Sequence, residues 1–260
     1  MTTTDPSLSL AGRRAVVTGS TSGIGAATVR LLAARGAHVV VTGRDKARGD
    51  TVADDVRREG GSAVFVPSEL TGSPDALRDT ARAWSDALGG PIDLLVHNAA
   101  LCPPVDTFTL TDADLEATLA VNVRAPHVLT AALALPMIEA GGGAIVVIGS
   151  WMATVGHAFV GLYSATKAAE EQLARSWAAE LGPRGVRVNT VSPGATCTPI
   201  NADADADEVV ARMTAGTPAG RPGTPDEIAA AVAWVVSDQA AYVHGTTIAV
   251  DGGITATRTA

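Results

Sequence analysis

The sequence has few cysteines, few aromatic residues and no excess of basic residues. Its 260 residues include two cysteines, Cys102 and Cys197, and neither has the neighbours that a metal-ligand spacing requires. The five histidines are scattered and form no HExxH pair. We therefore expect reduced thiols and no required metal ion.

Positive charge is also scarce. Lys and Arg total 19 against 27 Asp and Glu, which gives a formal net charge of −8 at pH 7. Such a chain has no basic field to attract nucleic acid or anionic lipid, so we expect neither nucleic acid nor a membrane as a partner. The N-terminal residues lack a charged segment followed by an apolar one, so we expect no secretory signal and a cytoplasmic location.

Long hydrophobic runs are missing too. The most apolar stretch, residues 125–149, is interrupted by His127, Pro136, Glu139 and the glycines at 141–143. It therefore predicts a buried helix, a turn and a core strand rather than a membrane span. Aromatic residues make up 3% of the chain and hydrophobic residues 47%, so the core must consist mainly of Ala, Val, Leu and Ile.

Short β-branched runs alternate with longer helical patterns along the chain. The runs begin with RAVVTG and AHVVVTG and end with VRVNTVSPG and TTIAVDGG. This alternation is typical of βαβ units whose parallel sheet is buried on both faces. We predict one domain over residues 1–260, with an α/β doubly wound fold similar to a Rossmann fold: a seven-stranded parallel sheet with helices on both faces.

One segment breaks the alternation. Residues 195–222 are irregular and contain Asp203, Asp205, Asp207 and Glu208. Ligands of open α/β sheets bind beyond the carboxyl ends of the strands, where a long insert after the sixth strand lies. We predict a substrate lid in this segment, with the acidic run at the solvated start of a short helix.

A glycine-rich turn follows the first predicted strand. Gly19, Gly23 and Gly25 lie in TGSTSGIG, between that strand and the first helix. Glycines there let the backbone approach a pyrophosphate and direct the helix N-terminal amides at it. Their spacing is G-x3-G-x-G, which by itself also fits a tight strand-to-helix turn without a ligand.

The end of the second strand, VVVTGRD, indicates which dinucleotide binds. An acidic residue there would hold the ribose 2′-hydroxyl of NAD, whereas Arg accommodates the 2′-phosphate of NADP. Gly43 occupies the acidic position and Arg44 follows it, and a guanidinium suits phosphate through paired hydrogen bonds. Asp45 either screens Arg44 or caps the next helix. We predict NADP(H) as the preferred cofactor.

Three polar residues define a predicted reaction centre. Tyr163 and Lys167 are four positions apart on one predicted helix and therefore share a face. Ser150 ends the strand AIVVIGS, where its hydroxyl can bond to a substrate oxygen and stabilise charge developing on it. Lys167 and an oxidised nicotinamide both favour the phenolate of Tyr163, so we expect a lowered pKa. Tyr163 would then act as acid for ketone reduction and as base for alcohol oxidation.

The ordered motifs resemble those of a known family. TGSTSGIG, HNAA, Asn122 in VNV, Ser150, YSATK, SPG and the tail from Gly220 to Gly253 are similar to the short-chain dehydrogenase/reductase family in its single-domain form. Ser150 lies thirteen positions before Tyr163, as the family pattern requires. The resemblance extends from about Arg13 to Gly253. It implies hydride transfer with a nicotinamide dinucleotide, and a homotetramer or homodimer.

The resemblance also implies where the cofactor lies. The glycine turn, with Ile24, would receive the pyrophosphate; Asn98 would lie beside the adenosine ribose, and Glu69 and Leu70 beside adenine. The SPG motif would shape the nicotinamide pocket, and Thr198 would contact the carboxamide or a phosphate. With Arg44, the predicted cofactor-binding residues are Gly19, Ser22, Gly23, Ile24, Gly25, Arg44, Glu69, Leu70, Asn98, Tyr163, Lys167, Pro193, Gly194, Thr196 and Thr198.

Asn122 joins Ser150, Tyr163 and Lys167 as a predicted catalytic residue. The resemblance implies that it binds a water molecule that relays protons to Lys167; the alternative is that it satisfies the polar groups of a helix kink. The family usually has Asn-Asn-Ala-Gly where this chain has HNAA, and Asp-Val or Asp-Leu where it has Glu69-Leu70. We interpret His97 as a satisfied strand-end residue, with a chemical role as the alternative.

The substrate pocket is predicted from residues that flank the reaction centre. Ser150, Trp151, Met152 and His157 are assigned to it, although the last three also fit a packing role. The predicted function is NADP(H)-dependent interconversion of a small-molecule ketone and a secondary alcohol. The alternatives are a 3-oxoacyl-[acyl-carrier-protein] reductase and, outside the enzymes, a non-catalytic NAD(P)-binding regulator.

Overall fold

A parallel sheet forms the centre of the molecule. The computed structural model describes residues 8–197 and 210–257, and in these ranges it has seven strands. They are parallel and lie in the order β3-β2-β1-β4-β5-β6-β7. Their bounds are Arg14–Val17 (β1), His38–Gly43 (β2), Ser62–Pro67 (β3), Leu94–His97 (β4), Gly143–Ile148 (β5), Val186–Pro193 (β6) and Thr247–Val250 (β7).

Helices cover both faces of this sheet. Helices α1, α2 and α7 pack on one face, and α3, α5 and α6 pack on the other. The helices are α1 (Gly23–Ala34), α2 (Lys46–Arg58), α3 (Pro74–Leu88), α4 (Asp112–Leu119), α5 (Ala125–Glu139), α6 (Gly161–Leu181) and α7 (Pro225–Val236). The predicted doubly wound α/β fold is confirmed.

The strands contain continuous apolar runs because both faces of the sheet are covered. In β4, Leu94 and Val96 belong to the core on the α1 side, whereas Leu95 belongs to the core on the α6 side. Successive side chains of a strand point to opposite faces, so a continuous apolar run is what a doubly covered strand requires. This explains why short β-branched runs sufficed to locate the strands.

Residues 125–149 form a helix, a turn and a strand, as predicted. The continuous helical run Asp112–Glu139 is long and apolar enough, by length and composition, to cross a membrane. Its most apolar window is 56% buried inside the molecule, where Leu129, Leu133 and Met137 pack in the core on the α6 side. A buried core helix meets the same two criteria, so this run is weak evidence for a membrane span.

The order of the strands creates a site at one end of the sheet. From β1 the chain winds outward to β2 and β3, and then returns to β4 on the other side of β1. Between β1 and β4 the connections diverge, and ligands of open α/β sheets bind at such a switch point beyond the carboxyl ends of the strands.

Candidate active site

A cleft of about 1470 Å³ lies at the carboxyl ends of the central strands. It brings together most of the residues that the sequence predicted. Those that line it are Gly19, Ser22, Gly23, Ile24, Arg44, Glu69, Leu70, Asn98, Ser150, Trp151, Met152, Tyr163, Lys167, Pro193, Gly194 and Thr196. Gly25, Asn122 and His157 are not in its lining, and Thr198 lies outside the described residues, as do most of the predicted lid and its acidic run.

The glycine turn is built by close backbone packing. Gly19 and Gly23 have positive φ angles of 64° and 52°, a conformation that glycine adopts without strain. A Cβ atom on Gly25 would lie 2.6 Å from both the Asn98 side-chain nitrogen and the Gly19 carbonyl oxygen. Asn98 donates from that nitrogen to the carbonyl oxygens of Thr18 and Gly19, at 2.9 and 3.1 Å. Asn98 therefore braces the turn.

Helix α1 begins directly after this turn, and no side chain of its N-cap residue accepts a hydrogen bond from its first backbone amides. Its N-cap residue, Ser22, makes no side-chain capping hydrogen bond, and the first turn contains no acidic residue. The N-terminal amides of a helix attract anions when no side chain satisfies them. The turn and helix therefore fit the pyrophosphate of a dinucleotide.

Asp45 caps helix α2. Its Oδ1 accepts a hydrogen bond from the backbone N–H of Arg48 at 3.0 Å, and its Oδ2 lies 2.7 Å from Arg48 Nε. Of the two alternatives left by the sequence, capping is confirmed. Arg44 and Arg48 both line the cleft, and the sequence had not singled out Arg48.

The positive charge of Arg44 helps to lower the pKa of the Glu69 carboxyl. Burial raises the pKa of the Glu69 carboxyl, but hydrogen bonds from Thr71 and the charge of Arg44 outweigh burial, and its pKa is lowered. Arg44 is exposed and directly follows β2, which pairs with β3. Its guanidinium and the Glu69 carboxyl, which follows β3, therefore lie at the same end of the sheet and line the cleft.

Gly43 is required by a close approach to the glycine turn. A Cβ atom at this position would lie 2.8 Å from Thr21 Cγ2. Any larger residue, including the acidic residue of an NAD site, therefore requires Thr21 to move. The sequence indicated that the acidic residue is absent but not this contact.

Ser150, Tyr163 and Lys167 meet at the centre of the cleft. Ser150 leads from β5 into a short 3₁₀ turn, and its Oγ accepts from the Met152 backbone N–H at 3.2 Å. Lys167 Nζ lies 5.8 Å from the centre of the Tyr163 ring and donates to the Ile148 carbonyl oxygen at 2.8 Å. Tyr163 and Lys167 lie on helix α6 with the ammonium near the phenol ring, as their spacing predicted.

Burial raises the pKa of Tyr163, which is opposite to the direction that the sequence predicted from Lys167 and an oxidised nicotinamide. Burial of the phenol is the largest cause, and it outweighs the lowering by the Lys167 charge and by a hydrogen bond from Ser150. Lys167 acts in the expected direction. The expectation had not accounted for desolvation, which opposes formation of a phenolate.

Two glutamates behind the reaction centre were missed by the sequence analysis. Glu170 Oε2 lies 2.7 Å from Lys167 Nζ; burial raises its pKa to about 7, against the lowering effect of Lys167. Glu171 Oε2 accepts from Thr247 Oγ1 at 3.4 Å, and a Cβ atom on Gly149 would lie 2.7 Å from Glu171 Oε1. The spacing of three between Lys167 and Glu170 was the available signal.

Asn122 lies in a π-helical segment, Ala120–Arg124, between α4 and α5. Its Oδ1 accepts from the Leu101 backbone N–H at 2.8 Å, and its Nδ2 donates to the Leu101 carbonyl oxygen and to Thr166 Oγ1, both at 2.9 Å. The interpretation of a polar residue at a helix irregularity is thus supported. The proposed water relay stays a prediction.

His97 is a buried strand-end residue. Its Nε2 lies 2.9 Å from Thr130 Oγ1, and its ring packs against Trp177 at 6.1 Å between centroids. Burial, with the nearby Lys167 charge, lowers its pKa to about 3, so the ring is neutral. Its Nδ1 is buried without a hydrogen-bond partner, so the prediction of a satisfied residue holds for one ring nitrogen and not for the other.

The residues predicted for the substrate pocket divide into two groups. Trp151 and Met152 line the cleft. His157 is not in the lining: it is exposed, and its ring meets the Trp151 ring edge-on at 6.1 Å. Its assignment to the substrate pocket stays a prediction.

Among residues 8–197 and 210–257, no group of three or more His, Cys, Asp or Glu side chains is arranged to hold a metal ion.

A family model described as enoyl-(acyl carrier protein) reductase matches residues 19–255 of this chain. Together with the relatives below, this match shows that the chain belongs to the short-chain dehydrogenase/reductase family of NAD(P)-binding oxidoreductases.

Three relatives illustrate the range of activities within this family. Cis-4-hydroxycyclohexanecarboxylate dehydrogenase of Sinomonas cyclohexanicum is 42% identical over 250 residues, which cover 95% of this chain and 98% of that protein. The 3-oxoacyl-[acyl-carrier-protein] reductase of Vibrio cholerae is 34% identical over 248 residues, 95% of this chain and 99% of the other. A solved structure from Beutenbergia cavernae, described as an NAD(P)-dependent gluconate 5-dehydrogenase, contains NADP at low occupancy. It matches this chain with a TM-score of 0.88 and 36% identity, over 96% of this chain and 99% of the other.

Proposed function

We propose that this chain is an NADP(H)-dependent oxidoreductase that interconverts a small-molecule ketone and a secondary alcohol. The observation that carries the proposal is that Ser150, Tyr163 and Lys167 meet in the same cleft as the glycine turn. A bound nicotinamide would supply or accept the hydride. The chain would supply the pyrophosphate site, the proton and the alignment of the substrate oxygen.

The side chains have distinct roles in this proposal. The Tyr163 hydroxyl donates a proton to the carbonyl oxygen during reduction and takes it back during oxidation. Ser150 donates a hydrogen bond to the same oxygen and stabilises the charge that develops there. Lys167 binds the nicotinamide ribose and favours the Tyr163 phenolate through its charge. The water relay through Asn122 and the lid over residues 195–222 complete the proposal.

The walls beyond the reaction centre favour an uncharged substrate with apolar parts. Leu101, Trp151, Met152 and Met213 line this side of the cleft, together with the carboxylate-bearing Asp114. The cations that line the cleft, counted over the described residues, are Arg44, Arg48 and Lys167. Residues 198–209, which lie outside the described part, contain no Lys or Arg in their sequence.

An acyl-carrier-protein reductase is the second candidate, favoured by the family-model match and the Vibrio cholerae relative. An acidic carrier would need basic residues around the mouth of the pocket, and a net charge of −8 argues against that partner. A non-catalytic regulator is disfavoured because both Tyr163 and Lys167 are present. The cytoplasmic location and the homotetramer or homodimer remain parts of the proposal that family membership supports.

A substrate panel tests the proposed function. Neutral cyclic and aliphatic ketones, their carboxylated analogues and a 3-oxoacyl thioester are each supplied with NADPH or NADH, and the absorbance of the reduced nicotinamide is followed. We expect turnover of neutral ketones with a higher kcat/KM than their carboxylated analogues, because Asp114 repels a carboxylate. Turnover restricted to the thioester would instead establish the second candidate.

The cofactor preference is expected to depend on Arg44. If its guanidinium binds the 2′-phosphate, Arg44→Gln should weaken NADPH binding by about ten- to a hundredfold, or roughly 1.5–3 kcal/mol, and leave NADH binding nearly unchanged. Titration of both cofactors into the parent and the variant measures this. Arg48→Gln is the matched control, since the Asp45 carboxylate already engages Arg48.

Changing the cofactor preference from NADPH to NADH should require three substitutions, one more than the two that the sequence suggested. Gly43→Asp with Arg44→Leu places a carboxylate near the ribose hydroxyls, where it would repel phosphate. The new Cβ atom would meet Thr21 Cγ2, so Thr21→Ser should accompany the pair. A parent that binds NADH more tightly than NADPH would contradict the assignment of Arg44.

A further inference from the structure

Lys167 is held by the protein from two sides. Its Nζ lies 2.7 Å from Glu170 Oε2, and the two side chains are 2% and 1% exposed. The same nitrogen donates to the Ile148 carbonyl oxygen at 2.8 Å. An ammonium group has three donors, so two of the three are committed before any ligand binds.

The partner of Lys167 affects what its charge can do for Tyr163. The Lys167 Nζ lies 5.8 Å from the centre of the Tyr163 ring and 2.7 Å from Glu170 Oε2. The carboxylate of Glu170 therefore offsets the positive charge of the ammonium at close range, which reduces its attraction for a phenolate. A paired lysine stabilises a neighbouring phenolate less than an unpaired one does.

We propose that Glu170 is a positioning residue of the reaction centre: it holds Lys167 against β5 and offsets its charge, and so adds to the burial of the phenol in keeping Tyr163 protonated at neutral pH. Ketone reduction then starts from the resting state, with the phenol proton moving to the carbonyl oxygen. Alcohol oxidation first requires that proton to leave Tyr163 for solvent. The inference rests on the proposed role of Tyr163 as acid and base.

Other charged and titratable groups surround the pair. Glu171 adds a second negative charge on α6, and burial also raises the pKa of its carboxyl. His97, on β4, is neutral because burial and Lys167 lower its pKa. Cys102 after β4 interacts with Lys167, and Arg175 on α6 interacts with Glu171. The other charged groups that line the cleft are Arg44, Asp45, Arg48, Glu69 and Asp114. Of all these, Glu170 forms the ion pair with Lys167.

The tyrosine content of the chain permits a direct test without a substrate. Tyr163 and Tyr242 are the two tyrosines of the sequence, and Tyr242 is fully exposed. In a Tyr242→Phe background, the near-ultraviolet absorbance of tyrosinate therefore reports Tyr163 alone. We expect its midpoint above the ordinary value of about 10.

Glu170→Gln in that background should lower the midpoint by about one pH unit or more, a tenfold change in the ionisation constant. Glu170→Asp keeps the charge and should leave the midpoint closer to the parent value. Glu180→Gln removes an exposed charge from the same helix and should change nothing. In a Lys167→Met background, Glu170→Gln should shift the midpoint by less, because the effect acts through Lys167.

Two results would overturn the proposal: a parent Tyr163 that ionises clearly below about 10, or a Glu170→Gln midpoint equal to or above that of the parent. Circular dichroism at each pH checks that the fold is intact. If Glu170→Gln does not fold, the parent and Glu170→Asp titrations still decide. A chain that shows these titrations but reduces no ketone would contradict the proposed function and leave this inference standing.

Discussion

Replacement of Tyr163 by phenylalanine is expected to lower kcat at least about 100-fold, because it removes the general acid of ketone reduction. The ring remains and packing changes little, so affinity for NADPH should stay nearly the same. Steady-state rates measure the first effect, and fluorescence titration of the cofactor measures the second. Unchanged turnover would remove Tyr163 from its proposed role.

The chain supplies a matched control for this experiment. Tyr242 is the other tyrosine and is fully exposed, so Tyr242→Phe makes the same chemical change away from the cleft. It should leave kcat and cofactor affinity at the parent values. Loss of activity in both variants would indicate a general effect of the substitution rather than loss of a proton donor.

Lys167→Met should have the second large effect, on cofactor binding and on stability together. The ribose loses its proposed ammonium partner, and the pH-rate profile of any remaining alcohol oxidation should shift toward alkaline pH, because the Tyr163 phenolate that acts as its base loses its nearest positive charge. Glu170 is left buried without its partner, which typically costs about 3–5 kcal/mol. Cofactor titration, a pH-rate profile and thermal unfolding measure these effects.

The sign of the pH dependence follows from Glu170. Burial raises its pKa to about 7 even with Lys167 present, and loss of the lysine charge removes a lowering influence. When the pKa of a carboxyl is higher in the folded than in the unfolded state, the carboxyl does not affect the free energy of unfolding at a pH below its unfolded-state pKa. As the pH rises from that value toward the folded-state pKa, the protein loses stability. Lys167→Met should therefore lose more stability between about pH 5 and 8 than the parent does. Adding Glu170→Gln should relieve most of this difference.

Much of the reaction centre could be predicted because its residues are neighbours in sequence or follow strand ends. Tyr163 and Lys167 share a helix face by their spacing, and Ser150 follows a run whose apolar pattern marks it as a strand. The sequence left two roles open for Asp45, because capping the next helix and screening Arg44 use the same carboxylate. The position of α2 favoured capping.

The differences from the predictions share a physical cause, because burial cannot be read from local spacing. The pKa of Tyr163 was expected to fall, but desolvation raises it. His157 was assigned to the pocket from its proximity to Ser150 in the sequence, whereas its side chain is exposed. Glu170 and Glu171 were not singled out, yet both are buried behind the reaction centre.

Local features of the sequence were enough to predict the alternation of strands and helices, the glycine turn and the set Ser150, Tyr163 and Lys167. These features depend on periodicity, on the conformational freedom of glycine and on residues at fixed spacings. The contact between Gly43 and Thr21, and the burial of the Lys167–Glu170 pair, became visible only in the folded chain. Close approach and burial depend on which segments the sheet order brings together, and that information lies in the packed chain rather than in any one segment.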